Sequence, residues 1–132
     1  MFMLDGCPIS WTSRRQKTVS VSTEEAELNA ASEATREATA LKSLCKELGV
    51  IGEKDNVVLK IDNKPAFDAI INPGYYGRLK HVDICHKFVM EANQNGLVKV
   101  EWCPTNQMVA DPLTKPLGGP QLDFFRKTVM GN

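Results

Sequence analysis

The chain has 132 residues, of which 42% are hydrophobic and 24% are charged. These values are typical of a folded globular protein, and the length suits one domain with a buried core, so disorder over the whole chain is excluded. Lys and Arg together number 16, as do Asp and Glu, and the formal net charge is zero. Because dedicated nucleic-acid-binding proteins are usually basic, any contact with nucleic acid must come from a local cluster of cations.

The cysteines are scattered along the chain, and no two have the short spacing of a metal-binding pair. This pattern argues against a disulfide framework or a zinc ribbon and favours a reducing compartment. The apolar start, Met1 to Leu4, ends at Asp5-Gly6 and is too short for a signal peptide. No apolar run is long enough to cross a membrane. We therefore expect an intracellular protein without a membrane span.

Residues 1–21 predict a β-hairpin followed by a further strand. Two β-prone runs, Met1 to Leu4 and Cys7 to Thr12, flank Asp5-Gly6, which is a strong signal for a two-residue hairpin turn. The residues from Arg14 to Val21 read as a polar turn and then a strand.

Residues 22–48 predict one long helix. Ser22 and Glu25 have the spacing of a capping box, in which each residue satisfies a free backbone N–H group of the other. Small and apolar residues then recur at helical spacing as far as Leu48, and Gly49 is a suitable stop. The many alanines indicate a face that packs closely against a sheet.

The rest of the chain predicts alternating strands and helices. Residues 57–117 read as strand, helix, helix, strand and helix, with Asn106 capping the last of these helices, and residues 118–132 form a C-terminal helix that packs back on the body. Trp11 and Trp102 fall on predicted strands and are expected in the core. This order predicts an α/β fold in a single domain, 1–132, with a mixed sheet flanked by helices.

Three acids lie where α/β proteins usually bind ligands. Glu27 lies one turn into the long helix, Asp62 follows a strand, and Asp111 lies beyond the final strand. Carboxylates that converge repel one another unless a cation holds them, and hard oxygen ligands suit Mg²⁺. Two such ions can activate a water molecule and stabilise the leaving oxygen of a phosphodiester. Spacing alone leaves open the alternative that all three are ordinary surface acids.

Longer sequence segments distinguish a metal-binding site from a set of ordinary surface acids. In chain order these are PISWTSRRQKTVSVS, STEEAELNA, LKIDNKPA, GRLKHVDICHKFV and VEWCPTNQMVADPLTKPL. Together they extend over most of the chain, from residue 8 to residue 117, and closely resemble the ribonuclease H domain of copia-type LTR-retrotransposon polyproteins. The most specific piece is VADPLTKPL.

The resemblance implies a ribonuclease H fold and cleavage of the RNA strand in RNA–DNA hybrids with two divalent ions, Mg²⁺ or Mn²⁺. Glu27 matches the family's helix glutamate, Asp62 its strand-end aspartate, and Asp111 the aspartate near its last helix. These three residues are the predicted catalytic and metal-binding acids. Glu24 and Glu25 are better explained as acids of the first helical turn, where they favour the helix dipole.

The start of the chain departs from the family pattern. Family members have a further, central strand before the hairpin, ending near another catalytic aspartate, so the resemblance describes an N-terminally truncated domain with three of four metal-binding acids. Asp5 lies in the hairpin turn and does not replace the fourth. The sheet is expected to have a gap or a new pairing, closed by a strand-swapped second copy or by the upstream polyprotein. The chain alone is expected to be inactive or nearly so.

Two basic clusters are candidates for contact with the hybrid, although clusters of this size are more often solvated surface. They are Arg14, Arg15 and Lys17, and Arg78 and Lys80. The resemblance implies an upstream reverse-transcriptase domain as a partner, and a location in cytoplasmic virus-like particles or the nucleus. The alternative is a non-catalytic remnant or host-retained module that binds nucleic acid or protein without cutting.

Overall fold

The computed structural model describes residues 1–16, 20, 22–72, 74 and 82–131, with the backbone alone at positions 82 and 83. Its contacts divide the chain into two compact units. We call Met1–Lys17 with Cys103–Asn132 the terminal unit, and Thr18–Trp102 the central unit. The helices and strands, in chain order, are β1 Phe2–Leu4, β2 Cys7–Ser10, α1 Thr23–Glu47, β3 Val57–Ile61, α2 Lys64–Ile71, α3 Val82–Gln94, β4 Val98–Trp102 and α4 Gly119–Met130.

The terminal unit begins with the predicted hairpin. Strands β1 and β2 are antiparallel, and Leu4 pairs with Cys7 across the turn. Asp5 and Gly6 have φ angles of 49° and 78°. Two successive positive φ angles are those of the type I′ turn, whose twist matches that of the flanking strands. The hairpin prediction is confirmed. Arg14 to Gln16 are not in a strand, and the rest of that predicted strand lies largely outside the described residues.

The helix predicted after Pro104 is wrong. Two short 3₁₀ turns, Thr105–Gln107 and Asp111–Leu113, stand in its place. Met108 between them has extended backbone angles, φ −76° and ψ 100°. Pro112 has no backbone N–H group, so an α-helix that began before it cannot continue through it with its hydrogen bonds intact.

Helix α4 is present, but its apolar side chains are not buried, contrary to the expectation from the sequence. Leu122 and Phe124 are exposed, Phe125 and Val129 are only partly covered, and none of the residues described in this helix is fully buried. Pro120 stands in its first turn, where a missing N–H group costs nothing. Gly131 ends it with the left-handed φ angle of 72°.

The central unit packs three helices with a two-stranded parallel sheet. Strands β3 and β4 run in register from Val57 opposite Val98 to Ile61 opposite Trp102. The crossover between these strands contains α2 and α3, as a parallel connection requires. Helix α1 contacts α3, β3 and α2. The α/β class predicted from the sequence is confirmed. The described strands form two separate two-stranded sheets, one antiparallel and one parallel, in place of the single mixed sheet that was predicted.

Helix α1 begins and packs as its sequence indicates. The Ser22 hydroxyl oxygen accepts a hydrogen bond from the Glu25 backbone N–H at 3.1 Å. One face is buried at helical spacing, and its residues are Leu28, Ala31, Ser32, Thr35 and Ala38. The small side chains on this face allow the close approach to neighbouring elements that the alanine pattern predicts.

The expectation that both tryptophans lie in the core is wrong. Trp11 is 62% exposed and Trp102 is 47% exposed. Trp11 follows the last residue of β2, and Trp102 is the last residue of β4. Both therefore lie at the end of a strand, where the packed layer stops and alternation no longer guarantees burial.

All four cysteines are free thiols, and the cysteine spacing in the sequence likewise argues against a disulfide framework. Within the described ranges, no helix combines the length and apolar character needed to cross a membrane.

Candidate carboxylate site

Glu27 lies in the second turn of α1, beside the buried face of that helix. Its neighbour Leu28 is almost completely buried. One residue corresponds to a rotation of about 100° around the helix axis, so Glu27 stands at the flank of the buried face, where it is partly covered. Glu25 is held in the first turn by its hydrogen bond to Ser22 and belongs to the N-terminal cap.

Asp62 lies at the carboxyl end of β3, as predicted. It follows the buried Ile61 and precedes Asn63, whose side-chain oxygen accepts the Ala66 backbone N–H at 2.9 Å and caps α2. The chain thus passes from strand to helix within two residues, and this short connection keeps the partly buried Asp62 at the strand end. Since β3 and β4 are parallel and in register, Trp102, the last residue of β4, lies at the same edge of the sheet as Asp62.

Asp111 is the most buried of the three acids, with 8% of its surface exposed. Its carboxylate oxygen Oδ1 accepts a hydrogen bond from Lys115 Nζ at 3.0 Å. Its backbone carbonyl also accepts the backbone N–H groups of Thr114 and Lys115, at 3.0 and 2.9 Å. A buried charge is tolerated when it is paired, so Lys115 gives this acid a structural role whatever else it does.

A small pocket adjoins Asp111 within the terminal unit. Its volume is about 10 Å³, which is room for about one water molecule and too little for a nucleotide. Its lining includes Asn106, Met108, Phe124 and Phe125.

The described side chains supply no preformed metal centre. Glu27 and Asp62 belong to the central unit and Asp111 to the terminal unit. Across the residues that the structure covers, no three His, Cys, Asp or Glu side chains are grouped so that they could hold one metal ion. The assignment of the three acids as metal ligands therefore stays a prediction.

The basic residues are only partly within the described chain. Arg14 and Arg15 are exposed. Lys17, Arg78 and Lys80 lie outside the described residues. Contact of either cluster with nucleic acid also stays a prediction.

Sequence reasoning missed Lys115, which is the partner of Asp111. A signal was present, because the two residues are four positions apart, the spacing at which opposite charges often pair on a helix. Here the pair forms across a 3₁₀ turn instead.

Comparison with known proteins shows relatives over almost the entire chain. The Pol polyprotein of transposon TNT 1-94 from Nicotiana tabacum is 39% identical over 129 residues, which are 98% of this chain and 10% of the relative. The chain is homologous to part of transposon Pol polyproteins. Those of transposons RE1 and RE2 from Arabidopsis thaliana are 36% and 33% identical, each over 92% of this chain and 8% of the relative. All three are retrovirus-related.

The chain thus spans about a tenth of the length of the curated relatives that it matches. No family model matches the chain, and neither does any solved structure. The predicted origin in a retrotransposon polyprotein is supported by these relatives, whereas the ribonuclease H assignment goes beyond their names.

Proposed function

We propose that this chain is the ribonuclease H-like part of a copia-type retrotransposon polyprotein, and that its substrate class is the RNA strand of an RNA–DNA hybrid. The observation that carries this proposal is the homology to retrovirus-related Pol polyproteins along 98% of the chain. The ribonuclease H-like segments, which occur in one order from residue 8 to residue 117, supply the finer assignment. The mixed α/β architecture is compatible with it.

Glu27, Asp62 and Asp111 are the proposed catalytic acids. Three carboxylates brought together would offer the hard oxygen ligands that Mg²⁺ or Mn²⁺ prefers, and the family resemblance implies two ions. The resemblance matches three of the family's four metal-binding acids, so we expect the chain alone to hydrolyse hybrid slowly or not at all.

The test is hydrolysis of an end-labelled RNA–DNA hybrid by the purified chain, with Mg²⁺, with Mn²⁺ and with a chelator. Any metal-dependent cleavage should be abolished by Asp62→Asn. The matched control is Asp68→Asn, since Asp68 is an acid of α2 that pairs with Lys64 at 2.6 Å. Cleavage that survives Asp62→Asn, or that falls equally with Asp68→Asn, would refute the assignment of Asp62. Rapid cleavage abolished by Asp62→Asn alone would refute the expected inactivity.

The match to only three of the family's four metal-binding acids also favours a second candidate function. In this alternative the chain is a non-catalytic remnant or a host-retained module that binds nucleic acid or protein. Hybrid binding that is the same with Mg²⁺, with Mn²⁺ and with a chelator, and that is unaffected by Glu27→Gln and Asp62→Asn, would favour this alternative over the nuclease.

The proposed partners follow from the family resemblance, and the relatives support only the polyprotein context. They are an upstream reverse-transcriptase domain, the RNA–DNA hybrid and a strand-swapped second copy of this chain. The proposed location is a cytoplasmic virus-like particle or the nucleus. Light scattering over a range of concentrations tests the second copy, and a mass that stays that of one 14.6 kDa chain would exclude a stable dimer.

A further inference from the structure

The segment that follows β2 combines an exposed indole with exposed cations. Every residue from Trp11 to Gln16 is exposed, and Trp11 itself is 62% exposed. A large aromatic side chain gains little for folding when most of its surface remains in water. The position of Trp11 is therefore better explained by a contact with another molecule than by the core of this one.

The charge around Trp11 is of one sign along the sequence. No acid occurs between Asp5 and Glu24, whereas Arg14, Arg15 and Lys17 all lie in that interval. The chain as a whole has a net charge of zero, so this interval is a local excess of positive charge. Such an excess favours a polyanion over an acid-poor apolar partner.

Two hydrogen bonds order the segment. The Ser13 hydroxyl donates to the Leu113 carbonyl oxygen at 2.7 Å, which ties the segment to a residue 100 positions later in the same unit. Arg14 Nε donates to Thr12 Oγ1 at 3.1 Å, which orients its guanidinium group. Trp11 and Arg14 therefore lie within two residues of a point at which the segment is tied to the rest of the terminal unit.

We propose that Trp11 stacks on an unpaired base of a nucleic acid strand while Arg14 and Arg15 contact its phosphates. Every base has a π-face on which an indole can stack, and guanidinium groups suit phosphate oxygens. A base inside a duplex already has both faces stacked, so the partner is a single-stranded stretch. The five residues from Trp11 to Arg15 are joined by four backbone steps, which reach at most about 14 Å and confine the contact to a few nucleotides. This inference rests on the proposed function, because it places a single strand beside the hybrid.

The first test uses tryptophan fluorescence. In the Trp102→Phe chain, Trp11 is the remaining indole. Titration with a single-stranded oligonucleotide of about 12 residues should quench its emission to saturation, since a base stacked on the ring is in direct contact with it. In the matched Trp11→Phe chain, which keeps the exposed Trp102, the same titration should leave the emission nearly unchanged. Equal quenching in the two chains would overturn the proposal.

The second test measures affinity. Trp11→Ala should weaken binding of the oligonucleotide by about 5-fold to 150-fold, the range for loss of one base–aromatic stack. Trp102→Ala should leave it within about twofold. A blunt, fully paired hybrid should be insensitive to Trp11→Ala. An equal loss for the paired hybrid, or tight binding of a poly-glutamate peptide in place of the oligonucleotide, would contradict stacking on an unpaired base.

The third test addresses the arginines through the salt dependence of binding. Arg14→Gln with Arg15→Gln should reduce the slope of log K against log salt concentration by about 1.4, because each lost phosphate contact on a single strand removes about 0.7. Arg126→Gln with Lys127→Gln, another adjacent pair of cations in the terminal unit, is the control and should leave the slope unchanged. An equal reduction in both pairs would mean diffuse attraction and would overturn the local contact.

The outcomes for this site and for the proposed function can be separated. Quenching of Trp11 together with hybrid cleavage that survives Asp62→Asn would support the stacking site while contradicting the proposed catalytic role of Asp62. Cleavage that Asp62→Asn abolishes, together with an unaltered affinity of Trp11→Ala for single strands, would do the reverse. Far-UV circular dichroism monitors folding of each variant, and if Trp11→Ala fails to fold, the fluorescence of the Trp102→Phe chain and the salt slope decide the matter.

Discussion

Asp111 shows how a single residue can carry a structural role alongside a proposed chemical one. Its buried carboxylate is balanced by Lys115, which is about half exposed. We predict that Lys115→Met destabilises the chain by about 1–3 kcal/mol, because the acid is left buried without its cation. The value should fall near the lower end, since water screens the exposed partner. Urea unfolding measures the change.

A double substitution separates the pair from other effects of the lysine. Asp111→Asn with Lys115→Met removes both charges, so it should be more stable than the sum of the two single losses predicts. If the stability loss of the double variant equals the sum of the two single losses, the 3.0 Å contact contributes nothing to stability and the burial of Asp111 has another cause.

Ser32 presents the opposite case, a buried hydroxyl group that costs stability. Among the described side chains, its Oγ is buried and has no hydrogen-bond partner. Ser32→Ala removes that uncompensated group and introduces the best helix former, so we predict unchanged stability or a gain of about 1 kcal/mol. The measurement is the free energy of unfolding in urea.

Thr35, one turn later, is the matched control. Its hydroxyl donates to the Ala31 carbonyl oxygen at 2.8 Å, and the side chain is completely buried. Thr35→Ala should therefore cost about 1–3 kcal/mol through a lost methyl group and a lost hydrogen bond. A loss for Ser32→Ala as large as that for Thr35→Ala would show that the Ser32 hydroxyl contributes to packing.

At the scale of elements, the hairpin is the part of the fold most directly encoded by its turn. Gly6 has a φ angle of 78°, so Gly6→Ala should destabilise the terminal unit by about 1–2 kcal/mol. Gly119, the first residue of α4, has open space where a Cβ atom would lie and no positive φ. Gly119→Ala should therefore be neutral or stabilising. Thermal unfolding of both variants checks the contrast, and equal effects would mean that the turn is not specified by its φ angles.

Elements set by adjacent residues were predictable, and those set by distant packing were not. Asp5-Gly6 and the Ser22 cap act within four residues, so the hairpin and α1 could be predicted from the sequence. The interruption at Pro112 could have been predicted in the same way, from the missing N–H group alone. The exposure of Trp11 and of α4 could not, because alternation and amphipathicity indicate which face is apolar but not whether another element covers it.

The places of Glu27 and Asp62 in their elements were predictable, but the geometry of the candidate site was not. The segments around these two acids predict them as site residues, and the structure places them beside a buried helix face and at a strand end as expected. Sequence cannot give the distances among three acids whose positions depend on the tertiary arrangement of elements far apart in the chain. The four-residue spacing of Asp111 and Lys115 was a signal for their ion pair, whereas the burial of Asp111 had no such signal in the sequence.

At the scale of the whole molecule, zero net charge is combined with exposed apolar side chains. The sequence pI is about 6.7, so charge repulsion between copies is weakest near neutral pH. Large hydrophobic side chains also remain exposed, and Ile84 on α3, at 74%, is the most exposed of those described. We predict a solubility minimum near pH 6.7 that deepens with protein concentration, measured as turbidity between about pH 5 and pH 9.

Two substitutions at Ile84 distinguish the causes of that association. Ile84→Lys adds a charge and removes apolar surface, whereas Ile84→Ser only removes apolar surface. If exposed apolar side chains drive association, both variants should raise solubility at pH 6.7 to a similar extent without lowering the Tm, because the native side chain is largely in water. If the lack of net charge dominates, only the lysine variant should help, and its minimum should move to higher pH. Unchanged turbidity in both variants would mean that association at pH 6.7 depends neither on the apolar surface of Ile84 nor on the charge at that position. The exposed side chains of α4 would then be the next candidates for the contact between copies.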